Sequence, residues 1–221
     1  MKTRNLLVLT ITMALGTLCA QAQANNGSMT FTDNLGQSVT ISRFGTVTSF
    51  KDNKGQVNPT ENYFRIGPYG NNGPFPWIDS RKGEGTSTAL KVEFPKQGTT
   101  IGKGQTLVAV ATVTAGDLKL ERRLTWAAGS KEISVDQTLS ASKTTSVGTI
   151  DEGVGNPNKL RPPCPPPPGE PAKCPLRMSN SFKSSSNRFE LTKQLTISPG
   201  NPIHLYFTIG PYASIPPISP G

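Results

Sequence analysis

The sequence predicts an all-β protein, a mainly antiparallel β-sandwich with long Pro/Gly-rich loops. Three observations carry this. Residues 105–141 hold three successive strand-like runs joined by short glycine-containing turns. Glycine (22) and proline (20) are abundant while apolar residues reach only 34%, the balance of a chain with many short strands and long connections. No segment repeats apolar residues at helical spacing over a useful length. The 221 residues suffice for one large sandwich or two small domains, and one domain over 25–213 is expected, followed by an extended tail over 214–221.

The N-terminus reads as an address. Lys2 and Arg4 precede an apolar run over 6–18, and Ala22-Gln23-Ala24 matches the small-x-small cleavage pattern. A signal peptide over 1–24 is predicted, with the mature chain starting near Asn25 and residing in the periplasm or outside the cell. Leu18 is bulky where a lipoprotein signal needs a small residue, so Cys19 is expected to leave with the leader. The apolar run is short for a membrane span and no other run is longer, so no transmembrane segment is expected in the mature chain. Cys164 and Cys174 then remain, and an even cysteine count in an exported chain predicts one disulfide. The formal charge of +9 falls to about +7 without Lys2 and Arg4. The basic residues are scattered, which argues against specific nucleic-acid binding and for weak attraction to anionic surfaces.

Taken in order, residues 29–41 alternate around Asp33-Asn34-Leu35-Gly36, the pattern of a hairpin. Residues 46–50 make another short strand, turned by Asp52-Asn53-Lys54-Gly55. Residues 63–66 form a strand that enters the long loop 67–87, which is too rich in Gly and Pro for a central strand or a helix. Leu90, Val92 and Phe94 are expected inward, and residues 107–113 read as a strand buried on both faces. Gly116-Asp117 supplies a two-residue hairpin turn. Leu118, Leu120, Leu124 and Trp126 share an inward row that Arg122 interrupts, and Gln137 interrupts the next row, Ile133, Val135, Leu139 and Ala141. Either Arg122 and Gln137 satisfy one another in the core or the inward face is misassigned there. Residues 153–178 form a proline-rich loop, and RPPCPPPPGEPAKC within it is expected to be extended polyproline II. Strands resume at Phe189 and again after the Ser198-Pro199-Gly200-Asn201 turn, where Ile203, Leu205, Phe207 and Ile209 face inward. About ten strands are expected in all. Residues 64–69 and 207–212 match at five of six positions, read as shared local geometry rather than a duplicated half.

The residues exclude more chemistry than they indicate. His204 is the single histidine and is expected on an exposed strand face, so neither an ordinary zinc site nor a His-based triad has its ligands; no catalytic residue, metal or cofactor is assigned. Asp151 and Glu152 are adjacent and should face opposite ways, unlike a glycosidase pair. A carbohydrate-active enzyme built on Asp79, Glu84 or Glu121 with a distant partner stays as one alternative. The 67–87 loop combines aromatic faces with planar polar groups, which is what sugar rings and their hydroxyls need: Tyr69, Asn71, Asn72, Trp77, Asp79 and Arg81 are the expected contacts. Alternatively its aromatics plug one end of the sandwich. A Cys164–Cys174 disulfide would stiffen its proline-rich loop into a surface for protein recognition or protease inhibition, a second alternative. The expected function is an exported non-catalytic binding protein that contacts a polysaccharide or another envelope or extracellular protein.

The segments ISRFGTVTSF (41–50), LERRLTWAAGSKEISVDQTLSAS (120–142) and LTISPGNPIHLYFTIG (195–210) resemble strands of β-supersandwich proteins, the galactose-mutarotase-like secreted domains. The resemblance implies a sheet-on-sheet architecture and a leaning toward carbohydrate. Mutarotases rely on histidines and a glutamate, and no motif of that kind stands in this chain, so no catalytic residue is carried over.

Overall fold

The computed structural model describes residues 27–69, 77–95, 98–155, 159–161, 182–184 and 187–210. The expected leader, Asn71, Asn72, Cys164, Cys174, most of the proline-rich loop and the tail lie outside the described residues. Within them the chain is an all-β sandwich of mostly antiparallel sheets, as the alternation predicts.

The N-terminal sheet is a meander of β1 (Ser28–Asp33), β2 (Ser38–Ser42), β3 (Val47–Lys51) and β4 (Val57–Pro59). β9 (Thr100–Ile101) closes it against β1, the one parallel pairing among the described residues. Three turns of one design build the meander. Each has a three-residue loop whose last residue is a left-handed glycine, at φ 82° for Gly36, 72° for Gly45 and 83° for Gly55. The residue before each loop holds it from its side chain. Asp33 Oδ1 accepts the N–H groups of Leu35 and Gln37, Asp52 Oδ1 those of Lys54 and Gln56, and Ser42 Oγ those of Phe44 and Thr46. Asp33 does more: its second oxygen accepts Gln37 Nε2 at 2.9 Å and the Gly129 N–H at 2.8 Å, tying this hairpin to a turn of the opposing layer.

That opposing layer is one wide sheet of β7 (Thr86–Ser87), β8 (Lys91–Phe94), β10 (Thr106–Ala115), β11 (Leu118–Ala127), β12 (Ile133–Ala141), β15 (Lys159–Arg161) and β19 (Ile203–Gly210). Its order is β15-β19-β12-β11-β10-β7, with β8 also on β10. A third sheet, in the order β16-β17-β14-β5-β6, comprises β5 (Tyr63–Gly67), β6 (Ile78–Asp79), β14 (Thr149–Gly153), β16 (Phe182–Ser184) and β17 (Arg188–Leu191). β13 (Thr145–Val147) and β18 (Leu195–Ile197) pair separately.

Aromatic contacts show how the layers meet. Phe50 of the N-terminal sheet meets Trp126 of the wide sheet edge-on at 6.2 Å between ring centroids. Phe189 of the third sheet meets Phe207 of the wide sheet at 5.2 Å. The wide sheet is therefore one layer, and the N-terminal and third sheets pack on the same inner face of it. Each fully buried Phe, Ile or Leu in this interface contributes about 1.5–3 kcal/mol of apolar transfer.

Four expectations need correction. The described residues contain nineteen strands rather than about ten, because the long loops carry two- and three-residue pairings that alternation cannot reveal. The 67–87 stretch is not all loop: it supplies β6 at a sheet edge and β7 against β10, positions that tolerate its composition. β10 buries Leu107, Ala109, Ala111 and Val113 on one face only, and its other face is half-covered. Phe94 is exposed rather than inward. The register between β8 and β10 shifts at Val108/Ala109, so Val92 lies beside inward Ala109 but Phe94 lies beside Val108, on the other face.

The two interruptions of the inward rows resolve into one network. Arg122 and Gln137 are directly opposite on β11 and β12, both buried, and Arg122 Nη1 donates to Gln137 Oε1. Nη1 also donates to Glu152 Oε2 at 2.7 Å, Nη2 to Glu152 Oε1 at 2.9 Å, and Nε to the Gly45 carbonyl at 3.0 Å. Glu152 Oε1 accepts in addition from Asn62 Nδ2 at 2.7 Å, and Asn62 Oδ1 accepts the Val47 N–H. Phe64 and Phe207, the leading residues of the two matching hexapeptides, place their rings 4.5 and 5.8 Å from the guanidinium. Burial pushes the Glu152 carboxyl up from the usual range, and Arg122 and Asn62 pull against it. Gly45 is required by this approach: a Cβ there would sit 2.8 Å from that of Ala111 and 3.2 Å from that of Arg122.

Two outcomes follow. Glu152→Ala strands a dry guanidinium and is expected to lower unfolding free energy by about 3–5 kcal/mol, whereas Arg122→Met with Glu152→Leu loses far less, by urea titration. Asp33 behaves differently with pH. Its burial raises the carboxyl, but the hydrogen bonds from Gln37, Gly129 and Leu35 outweigh this and hold it below the ordinary value. A depressed folded-state value means stability present above the unfolded value, roughly pH 3.9, and lost as pH falls through the folded one. Asp33→Asn should therefore flatten the acid limb of the stability curve, and cost on the order of 1.5–3 kcal/mol at neutral pH.

Candidate functional site

The third sheet has two unlike faces, and the outer one carries the polar chemistry. Strand partners directly opposite one another share a face, so cross-strand register defines rows. One row runs Glu84, Asp79, Arg65, Asp151, Glu190, each paired with the next across the sheet. Every member is ionisable. Arg65 Nε lies 3.5 Å from Asp79 Oδ2, and Arg188 bridges Asp151 (Nε to Oδ1, 2.7 Å) and Glu190 (Nη2 to Oε2, 2.6 Å). Asp151 thus faces outward to Arg188 while Glu152 faces inward to Arg122, as alternation along a strand demands.

A second row, Tyr63, Gly153, Arg188, runs beside it. Tyr63 lies across Gly153 so closely that a Cβ there would come within 2.5 Å of the ring, so glycine is what lets the phenol lie on the sheet. Burial and then the Asp151 charge push the Tyr63 phenol up, against the pull of Arg188 and Arg81, which keeps it neutral at ordinary pH. The Asp151 hydrogen bond is the main influence raising Arg188 above its usual value.

Arg81 covers Tyr63 from the solvent side. The segment 79–84 is a tight hairpin closed by Glu84 N–H to Asp79 O at 3.0 Å, with Gly83 at φ 71°. Asp79 Oδ1 accepts the Arg81 N–H at 3.0 Å and stands 3.5 Å from Arg81 Nε. The guanidinium carbon is 4.3 Å from the Tyr63 ring centroid, yet the side chain keeps 52% exposure. Asp79 beneath is only 1% exposed.

The expected sugar contacts therefore divide. Asp79 and Arg81 come together, Asp79 as a buried anchor and Arg81 as an exposed surface. Tyr69 and Trp77 lie toward the other end of the β5–β6 pair, Trp77 about 7 Å from Asp79 and Tyr69 about 13 Å from Arg65 by strand rise. Tyr69 is 56% exposed, and its carbonyl accepts the Thr149 hydroxyl; Gly148 packs so tightly on Pro68 O and Tyr69 that no Cβ fits. Trp77 instead packs half-buried against the core, and its backbone N–H donates to Ile66 O at 2.8 Å. Sequence reasoning missed Tyr63, Arg65 and Arg188. An alternating Tyr63-x-Arg65 and Arg188-x-Glu190 on neighbouring strands was the available signal, but using it required the register. His204 is exposed on β19, its Nδ1 3.1 Å from the Thr138 hydroxyl.

Among the described residues no group of three or more His, Cys, Asp or Glu is placed to hold a metal, and no helix is long and apolar enough to cross a membrane. No protein-family model matches the chain, and no curated protein matches it.

Asp79 and Arg81 should separate in stability. Asp79→Ala removes a buried carboxylate that stands between two guanidinium groups and accepts the Arg81 N–H, and is expected to cost about 1.5–3 kcal/mol. Arg81→Ala breaks an exposed pair and should cost less than about 1 kcal/mol. Equal losses in chemical denaturation would contradict the assigned roles.

Proposed function

We propose that this is an exported, non-catalytic binding protein of the periplasm or cell exterior whose ligand is carbohydrate, laid along the β5–β6 edge. The observation that carries the reading is the Arg81 guanidinium held 4.3 Å over Tyr63 with half its surface open, on the same edge as exposed Tyr69. A flat guanidinium offers paired donors to sugar hydroxyls and Tyr69 offers an apolar face to ring C–H groups, which together are what an elongated glycan needs. Both are held by tied backbone, so little entropy is lost on binding. Two carboxylates of this edge stand against guanidinium groups, Asp79 between Arg65 and Arg81 and Asp151 on Arg188, which suits binding better than proton transfer at those positions.

Polysaccharide pull-down and a glycan array test the proposal. Binding is expected for the unmodified chain and a drop of about tenfold or more for Tyr69→Ala with Arg81→Ala. Undiminished binding by that double variant would remove the site assignment, and binding to no glycan would remove the function.

A further inference from the structure

The geometry points to an anionic saccharide as the ligand: a sugar carrying a carboxylate or a sulfate ester, received by the outward edge of Arg81. This inference rests on the carbohydrate reading above and names the chemical class of ligand at the same edge. Asp79 approaches Arg81 through Nε, at 3.5 Å, and from the backbone side. Tyr63 covers one face of the guanidinium plane. Neither Nη nitrogen makes a hydrogen bond among the described residues, so the fork that faces solvent keeps its parallel donors, the arrangement that meets an oxyanion with two bonds.

The surroundings favour negative charge rather than a neutral hydroxyl. Exposed Lys82 follows Arg81 directly, and Arg188 stands in the next cross-strand position beyond Tyr63 and Gly153. The carboxylates that balance these cations lie below the surface: Asp79 and Asp151 are 1% and 2% exposed. On this face Arg81 and Arg188 keep 52% and 41% exposure above buried Asp79 and Asp151, and the chain as a whole is basic, at +9. A neutral glycan would leave the fork facing only hydroxyls, whereas an acidic one supplies the charge-assisted pair the fork is shaped for.

Calorimetry with three probes tests this: an oligogalacturonate, a sulfated chondroitin oligosaccharide and a neutral malto-oligosaccharide. At least one acidic probe should bind about tenfold or more tighter than the neutral one, and the stronger of the two distinguishes carboxylate from sulfate. Arg81→Gln should remove that preference, and Arg81→Lys should restore only part of it because a point charge lacks the fork. Lys54→Gln removes the same charge from an exposed turn of the N-terminal sheet and should leave affinity within about twofold. Equal binding of acidic and neutral probes, or full affinity in Arg81→Gln, overturns the anionic assignment while the carbohydrate reading stands. Equal losses in Lys54→Gln and Arg81→Gln also overturn it, since attraction is then non-specific. Binding of none of these probes, with none on the glycan array, overturns both.

Discussion

The Arg122–Glu152 pair is the constraint on which the rest of the structure depends. Its guanidinium rises from the wide sheet, its carboxylate from the third sheet, and the carbonyl that caps Nε from a turn of the N-terminal sheet. Removing two charges from water is expensive, and the attraction between them offsets it only when every donor and acceptor is used. Here Gln137, Gly45 and Asn62 take up the positions the pair leaves open, and three phenylalanines, Phe64, Phe189 and Phe207, exclude solvent around it. The pair thereby fixes alignment as well as contact. A one-residue slip of β11 against β12 would carry Arg122 to the solvent face and separate it from Gln137.

β14 is where that interior requirement meets the surface. Its consecutive carboxylates have opposite duties: Glu152 neutralises the core guanidinium and Asp151 steadies Arg188 outside. Gly153 then clears the space in which Tyr63 lies flat. Three adjacent residues thus connect the packing of the sandwich to the shape of the outer polar face. The rigidity of the Tyr63–Arg81 stack rests on the same strand that carries half of the buried pair.

The fold class was legible because alternation over 118–126 and 133–141 is strict; it left Arg122 and Gln137 open, and the structure places both inward. Glu152 was not recognisable as their partner. β14 is buried at all five positions, so no alternation marks which side chain enters the core. The short strands were hidden for another reason: two or three residues carry no period, and β6 sits in a stretch whose prolines and glycines read as loop. At the outer face Asp79 and Arg81 were legible as polar groups near aromatics. Tyr63 and Arg188 were not, because their meeting depends on the β5–β14–β17 register rather than on distance along the chain. Trp77 shows the converse: an aromatic in a candidate loop was spent on anchoring it.

The span of the buried network has a kinetic meaning. Arg122 reaches its nearest partner, Gln137, across 15 residues, but Gly45 is 77 residues away, and Asn62 meets Glu152 across 90. The β10–β12 hairpins can form early from local contacts, while the guanidinium they carry stays hydrated until both distant segments arrive. Until then the inner face of the wide sheet holds a solvated charge at its centre, which opposes premature collapse onto it. Desolvation of Arg122 thus requires segments from both halves of the chain to be in place together, a non-local requirement that the β10–β12 hairpins alone do not meet.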